Sequence, residues 1–200
     1  KKALYIRSLM LNCLTKNFSS LWEEVFDDNM KAYDWSSKDS RLKQFSLLSS
    51  TWTSDSVLHN AFERRQALVE IDVIVAMALG LTLDDLELIY TSQFAVLQQN
   101  EDDTWYDSNG NIIFTRNVGL SGVGIERKKW DEIHGEEITN ENGVITGYKG
   151  AEPTYLHTID PAKSELYGGQ QQTFVAPYTK CDRIEDYRTA WEHFEKIFNK

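Results

Sequence analysis

Cysteine and proline are scarce in this chain of 200 residues, and the scarcity of cysteine excludes several classes of protein. Its two cysteines, Cys13 and Cys181, are too few for a disulfide-stapled scaffold and have no metal-ligand spacing. No apolar run reaches the roughly 18 residues that a membrane helix needs, and no secretory signal is present. We therefore expect a cytoplasmic protein with reduced cysteines and no membrane partner.

Positive charge is also in short supply. The chain has 21 Lys and Arg against 31 Asp and Glu, which gives a net charge of −10. DNA-binding proteins draw much of their affinity from neutralising phosphates, so this balance opposes autonomous, non-specific DNA binding, although it permits a local basic edge. Apolar residues make up 41% of the chain, with six Trp, nine Tyr and nine Phe, which indicates a globular protein with a real core.

A long apolar stretch predicts a central helix. Between about His59 and Leu79, apolar residues recur at helical spacing almost all the way round, which is typical of a buried helix. Gly80 follows as a suitable C-terminal cap. One side of the helix carries Phe62, Leu68, Ile71, Val75 and Leu79, and the apolar face is widened by Val69, Ile74 and Ala78.

Three further helix starts are indicated by a capping residue with an acid three residues later. In this arrangement the first side chain accepts a hydrogen bond from the backbone of the helix, and the acid accepts one in return. An N-terminal helix is expected to end near Lys16, before the first of these starts. The three pairs are Ser20 with Glu23, Thr82 with Asp85, and Asp182 with Glu185.

Two Asn-Gly pairs predict β-hairpins. Asn109-Gly110 separates two short apolar runs, and Asn142-Gly143 precedes a third, which is the usual sequence signal for a tight reversal. A last strand is expected within Gln170–Tyr178. Helices first, strands next and one helix last favour an α+β fold over an alternating α/β fold.

We therefore predict N-terminal helices, a small antiparallel sheet that contains a hairpin, and a C-terminal helix that packs back. Residues 1–100 are expected to be mainly helical, residues 104–180 β-rich and irregular, and residues 182–199 a closing helix. The chain begins in a helical pattern without an initiator methionine. We expect residues 1–200 to be a single accessory domain of a longer polypeptide.

A glycine-rich segment is the first candidate for chemistry. Gly119, Gly122 and Gly124 could bring backbone amides close to a phosphate. Their G-x-x-G-x-G spacing, however, reverses the dinucleotide fingerprint, and the following residues are highly charged. A plain turn between strands is the preferred interpretation.

A second candidate is a divalent-metal nuclease centre. Asp107 lies upstream of Glu126-Arg127-Lys128, and many such nucleases hold a metal ion with an Asp and a Glu-x-Lys. The motif is short, and a turn role accounts for Asp107 as well. The four histidines are scattered without zinc-ligand spacing.

Two carboxylates within the long helix raise the question of an acid/base or metal pair. Glu70 and Asp72 are two residues apart and therefore point in different directions. Exposure at the helix edge, or pairing with Arg7, Arg64 or Arg65, is the preferred interpretation.

A basic cluster near the first hairpin is the best candidate for DNA contact. Basic side chains interleaved with aromatic rings on loops can contact a DNA backbone. The alternative is a solvated sheet edge, where charges deter aggregation. The residues concerned are Arg116, Arg127, Lys128, Lys129, Trp105 and Tyr106.

Most of the chain also resembles one protein family, the very large bacterial DNA methylases of restriction-modification and phage-defence systems, similar to type II-G enzymes. The resemblance excludes roughly residues 34–51 and 136–168. It is carried by LNCLTKNFSSLWEEVF, ERRQALVEIDVIVAMALGLTLDDLELIYTSQF, WYDSNGNIIFT, GLSGVGIERKKW and YTKCDRIEDYRTAWEHF.

The resemblance implies that the parent protein methylates adenine in DNA with S-adenosylmethionine, and it leaves open an added restriction endonuclease activity. The family's Phe-x-Gly-x-Gly cofactor loop and Asn-Pro-Pro-Tyr catalytic loop do not occur in this chain, so we predict no catalytic, cofactor-binding or metal-binding residues here. The implied partners are the rest of the parent polypeptide, DNA through the parent, and proteins of the same defence system.

Three hypotheses follow. The first is a non-catalytic C-terminal domain that supports DNA target recognition or docks to the catalytic body. The second is a protein-interaction module without DNA contact, which fits the charge of −10. The third and weakest is a magnesium-dependent nuclease domain that uses Asp107, Glu126 and Lys128.

Overall fold

The computed structural model describes residues 1–116, 124–143 and 145–198. The chain divides into two compact units. The first, called here the helical unit, consists of Lys1–Ser92 and the segment that begins at Arg183; the second, the β-rich unit, is Gln93–Asp182. In the part of the chain that is described, none of the helices combines the length and apolar character that a membrane span requires.

The fold is α+β, as predicted. Its α-helices are α1 (Lys2–Asn12), α2 (Ser19–Val25), α3 (Ala61–Ala78), α4 (Leu83–Gln93), α5 (Ala95–Asp102), α6 (Arg127–Ile133) and α7 (Arg183–Phe198). Its strands are β1 (Thr104–Tyr106), β2 (Ile112–Phe114), β3 (Glu136–Thr139), β4 (Ile145–Lys149), β5 (Thr154–Thr158) and β6 (Gln171–Val175). They form three antiparallel pairs, β1 with β2, β3 with β4 and β5 with β6.

Helix α3 is the centre of the helical unit, where α1 and the C-terminal α7 both pack against it. The Asn60 side chain caps it by accepting a hydrogen bond from the backbone of Glu63. The predicted length is confirmed and Val69 and Ile74 are buried, but the expectation of burial almost all the way round is wrong. Leu68, Val75 and Leu79 are 51%, 38% and 72% exposed.

The buried face of α3 is instead partly polar, and a salt bridge explains why. Arg7 of α1 and Glu70 of α3 meet at 2.5 Å with both side chains inaccessible to solvent. Glu70 also accepts hydrogen bonds from the backbone and hydroxyl of Ser36 and from the amide of Gln66. Burial lowers the pKa of Arg7, and the attraction of Glu70 works against that shift. Because both charged side chains have hydrogen-bonding partners, the Arg7–Glu70 pair can be buried.

Two of the predicted helix starts have different outcomes. Thr82 and Asp85 form the expected reciprocal cap, in which the Thr82 hydroxyl accepts from the Asp85 backbone and the Thr82 backbone donates to the Asp85 carboxylate. The Ser20–Glu23 cap is wrong, because α2 already begins at Ser19 and Phe18 precedes it without a side-chain cap.

Both Asn-Gly hairpins are confirmed. In the first, Trp105 lies opposite Ile113, and Gly110 has a φ of 79°, a left-handed conformation that glycine adopts without strain. In the second, Gly143 has a φ of 74° and its neighbour Val144 lies outside the described residues. The expected last strand is the β6 partner of β5.

The core of the β-rich unit is aromatic. The Trp130 ring lies 4.9 Å from Trp105, 5.4 Å from Tyr148 and 5.1 Å from Tyr178, measured between centroids. Among the described residues, the hydroxyl of Tyr178 is buried without a hydrogen-bond partner. Burial is also the main reason that the pKa of Tyr178 rises to about 12.

Candidate nucleic-acid interface

The register of the β1–β2 hairpin brings the first members of the basic cluster together. Thr104 pairs with Phe114, so the residues just outside this pair, Asp103 and Thr115, also meet, and the Thr115 backbone donates to the Asp103 carbonyl at 3.1 Å. Arg116 follows directly. One of its guanidinium nitrogens lies 3.8 Å from the Asp103 carboxylate, and the side chain also donates to Gln99.

A second connection brings in Arg127. The Ile125 backbone donates to the Phe114 carbonyl at 3.0 Å, which holds the start of α6 beside β2. Arg127, the first residue of α6, then forms a salt bridge with Asp103. A single carboxylate therefore holds two guanidinium groups that are each about half exposed, Arg116 at 47% and Arg127 at 50%.

The aromatic members of the predicted cluster are buried. Trp105 and Tyr106 are only 2% and 5% exposed, since they belong to the core of the β-rich unit. Their rings therefore offer almost no surface to a nucleobase. Trp105 still contributes indirectly, because the Arg127 guanidinium lies 5.4 Å from the centre of its ring.

The two lysines of the cluster differ from its arginines. Lys129 forms an ion pair with Glu132 at 3.1 Å and lies 5.4 Å from the ring centre of Tyr155, so it belongs to a different surface from Arg116. The hydrogen bond that Lys129 donates to Glu132 raises the pKa of Lys129. Lys128 is exposed.

Lys180 joins the cluster without having been predicted. Thr179 exchanges two backbone hydrogen bonds with Tyr106, each of 2.9 Å, and this pairing carries Lys180 to the Trp105 ring at 5.9 Å. Its ammonium group is 3.3 Å from the Asp102 carboxylate. Fifty residues separate Lys180 from the rest of the cluster, and no local pattern announces a long-range pairing of this kind.

The residues of the nuclease hypothesis have other partners. Asp107 is fully buried, and its two carboxylate oxygens accept hydrogen bonds from Asn109, Asn111 and Val175, so it organises the hairpin turn. Glu126 is exposed and accepts a hydrogen bond from Lys163 at 2.6 Å, which lowers the Glu126 pKa.

Metal-ligating side chains do not gather in the described parts of the chain. Over residues 1–116, 124–143 and 145–198, no group of three or more His, Cys, Asp or Glu is arranged to hold a metal ion. Glu70 pairs with Arg7, one of the partners predicted for it, and Asp72 pairs with Arg183.

Of the three glycines of the glycine-rich segment, the structure describes Gly124. Gly119 and Gly122 lie outside the described residues. Gly124 is buried and bridges to Phe114 in a parallel pairing.

Comparison of the chain with protein-family models, with curated proteins and with solved structures finds no match.

Proposed function

We propose that this chain is a non-catalytic accessory domain of a bacterial DNA methylase of the restriction-modification and phage-defence kind, and that it docks to the catalytic body and contacts DNA phosphates. The contact with DNA phosphates is supported by two half-exposed guanidinium groups, those of Arg116 and Arg127, which both pair with Asp103. Planar guanidinium groups match phosphate oxygens in geometry and charge.

The charge distribution sets the mode of DNA contact. The β-rich unit has 7 Lys and Arg against 14 Asp and Glu, which gives −7 and leaves −3 of the total −10 for the rest of the chain. Within this acidic unit, Arg116, Arg127 and Lys180 outnumber Asp102 and Asp103 by one charge. Contact is therefore local, sensitive to salt, and effective when the parent methylase brings the DNA close.

The proposal assigns all methyl-transfer chemistry to the parent. S-adenosylmethionine and any catalytic residues belong to the rest of the polypeptide, because this chain has neither a Phe-x-Gly-x-Gly nor an Asn-Pro-Pro-Tyr segment. Its localisation in the bacterial cytoplasm, and its contact with other defence proteins, belong to the same proposal.

A protein-interaction module without DNA contact is the second candidate. It is favoured by the exposure of Leu68 and Val75, which lie seven residues apart and so share one face of α3, and of Leu79, which follows the last residue of that helix. Exposed apolar side chains on one helix face suit docking to another protein.

Fluorescence anisotropy with a short labelled duplex, between about 50 and 200 mM salt, separates the two candidates. The DNA proposal expects binding that weakens steeply with salt, and Arg127→Ala should reduce the log–log salt slope by about one. Arg188→Ala is the matched control, since Arg188 is equally exposed and paired with a carboxylate, but in the helical unit. No binding by the wild type at the lowest salt would favour the interaction module.

The catalytic assignment has its own measurement. Calorimetric titration of the isolated chain with S-adenosylmethionine should give no heat of binding. A saturable signal would contradict the non-catalytic assignment, whatever the DNA experiment shows.

A further inference from the structure

A cavity of about 300 Å³ lies in the β-rich unit, apart from the arginine pair held by Asp103. Its walls come from the start of α6, from β5 and from the segment after β5. Ile125 and Ile159 are both buried and provide an apolar floor. Ligand sites typically combine such a floor with a few polar groups at the rim.

Two aromatic rings form one wall. Tyr155 and His157 are two residues apart on β5, so both side chains point to the same face of the strand, and their ring centroids are 6.1 Å apart. Both are only half-buried, so part of each ring faces the cavity. A flat ligand can therefore lie against both.

His157 adds hydrogen-bonding capacity to this wall. Burial lowers the pKa of His157 and so favours its neutral ring, which has one donor and one acceptor nitrogen. The His157 ring lies 6.1 Å from the ring of Tyr155 and 6.4 Å from the ring of Phe174, measured between centroids.

Two lysines, Lys129 and Lys163, and two acids, Glu126 and Asp160, line the cavity. Lys163 donates to Glu126 at 2.6 Å, and Lys129 lies over the Tyr155 ring while it pairs with Glu132. Both carboxylate partners are more than half exposed, so they can turn to solvent at little cost when a more highly charged anion arrives.

We propose that this cavity binds a nucleotide, with its base against Tyr155 and His157 and its phosphate between Lys129 and Lys163. Stacking on strand aromatics with cations along the backbone is how proteins bind unpaired nucleotides. A phosphate alone would leave the rings unused, and a neutral aromatic compound would leave the lysines with their present partners. Only a ligand that has both an aromatic ring and a phosphate contacts the rings and the lysines together.

The nucleotide has two sources, a free mononucleotide or an unpaired position in a DNA strand. An unpaired position in a DNA strand can be the source only if the proposed DNA contact is correct. Binding of a free mononucleotide does not depend on that contact. The test therefore compares 2′-deoxyadenosine 5′-monophosphate with a short single-stranded oligonucleotide and with a blunt duplex. Stronger binding of the oligonucleotide assigns the strand as the source, and stronger binding of the mononucleotide assigns the free ligand.

The decisive measurement is titration of the ¹⁵N-labelled chain with 2′-deoxyadenosine 5′-monophosphate, followed by NMR. Saturable shifts should map to β5 and the start of α6. Deoxyadenosine alone and inorganic phosphate alone should each bind at least about tenfold more weakly. Equal binding of either half-ligand, or shifts that map elsewhere, would overturn the proposal.

Variants test the two contributions separately. Tyr155→Leu should weaken mononucleotide binding about tenfold, whereas Tyr167→Leu, an exposed tyrosine outside the cavity, should leave it unchanged. Lys163→Ala should weaken it about threefold and Lys149→Ala should not. If Tyr155→Leu disturbs folding, His157→Gln replaces it and should weaken binding in the same direction.

The outcome is distinguishable from that of the proposed function. Duplex binding through Arg127 depends on the Asp103 cluster, and variants of the cavity should leave its salt slope unchanged. If the wild-type protein does not bind the mononucleotide, the cavity proposal is rejected and the proposed function is not affected.

Discussion

The Arg7–Glu70 pair of the helical unit and the Tyr178 hydroxyl of the β-rich unit are both buried, but they differ in their hydrogen bonding. In the helical unit the Arg7–Glu70 pair is fully enclosed, and its hydrogen-bonding groups meet Ser36 and Gln66. In the β-rich unit the buried hydroxyl of Tyr178, among others, lacks a partner among the described residues. Burial alone does not determine how much a polar group stabilises a fold. The hydrogen-bond partners of the group decide whether its burial raises or lowers the free energy of unfolding.

The largest expected effect comes from breaking the buried pair. Glu70→Ala should lower the free energy of unfolding by about 3–5 kcal/mol, because it leaves the Arg7 charge buried without its counter-ion. Urea denaturation followed by circular dichroism at 222 nm would measure this loss.

The matched control is Glu192→Ala, which removes an exposed partner of Lys196 and should change stability by less than about 1 kcal/mol. If the two substitutions cost the same, the buried pair does not stabilise the helical unit in the way described.

The second prediction applies one substitution to both units. Tyr187→Phe in the helical unit removes a hydroxyl that donates to Asp72 at 2.8 Å and accepts from Arg183, and should cost about 1–2 kcal/mol. Tyr178→Phe in the β-rich unit removes a hydroxyl that has no partner within residues 1–116, 124–143 and 145–198, and should be neutral or slightly stabilising.

Hydrogen-exchange mass spectrometry would assign each change to its unit. A loss at Tyr178→Phe as large as that at Tyr187→Phe would show that the Tyr178 hydroxyl has an energetically important partner, and the contrast between the two units would disappear.

The smallest expected effect is a pH dependence of the β-rich unit. Burial lowers the folded-state pKa of His157, so the neutral ring is favoured by folding. The resulting stability is present above the unfolded pKa of about 6.5 and is lost as the pH falls through the lower folded value.

Hydrogen exchange in β5 and β6 at pH 7.5 and at pH 5.5 would measure this loss. His157→Gln should reduce the difference between the two pH values. An unchanged difference would assign the pH dependence to another group.

Local patterns predicted the parts of this fold whose cause is local. Asn109-Gly110 reverses the chain because glycine accepts a positive φ there, and Thr82 with Asp85 starts α4 through bonds three residues apart. Neither feature depends on distant residues, so each could be inferred from a few letters of sequence.

The inner face of α3 could not be inferred in the same way. Apolar spacing pointed to Leu68 and Val75, but α1 places Arg7 on the opposite side, where Glu70 satisfies it. Hydrophobic periodicity assumes that polar groups face water, and that assumption fails where a long-range ion pair is buried.

The candidate interface shows the same division. The sequence indicated Arg116 and Arg127 as a basic cluster, but only the hairpin register brings both to Asp103. Trp105 looked like a contact residue because it is close in sequence, and the fold buries it.

By itself, the sequence determined the α+β composition, the two Asn-Gly hairpins, the cap of α4 and a net charge of −10, because each follows from neighbouring residues or from simple counting. The tertiary structure decided which face of α3 is buried, which carboxylate holds the two arginines, and where Lys180 lies. These outcomes depend on contacts between residues far apart in the chain, and such contacts are chosen by packing and register.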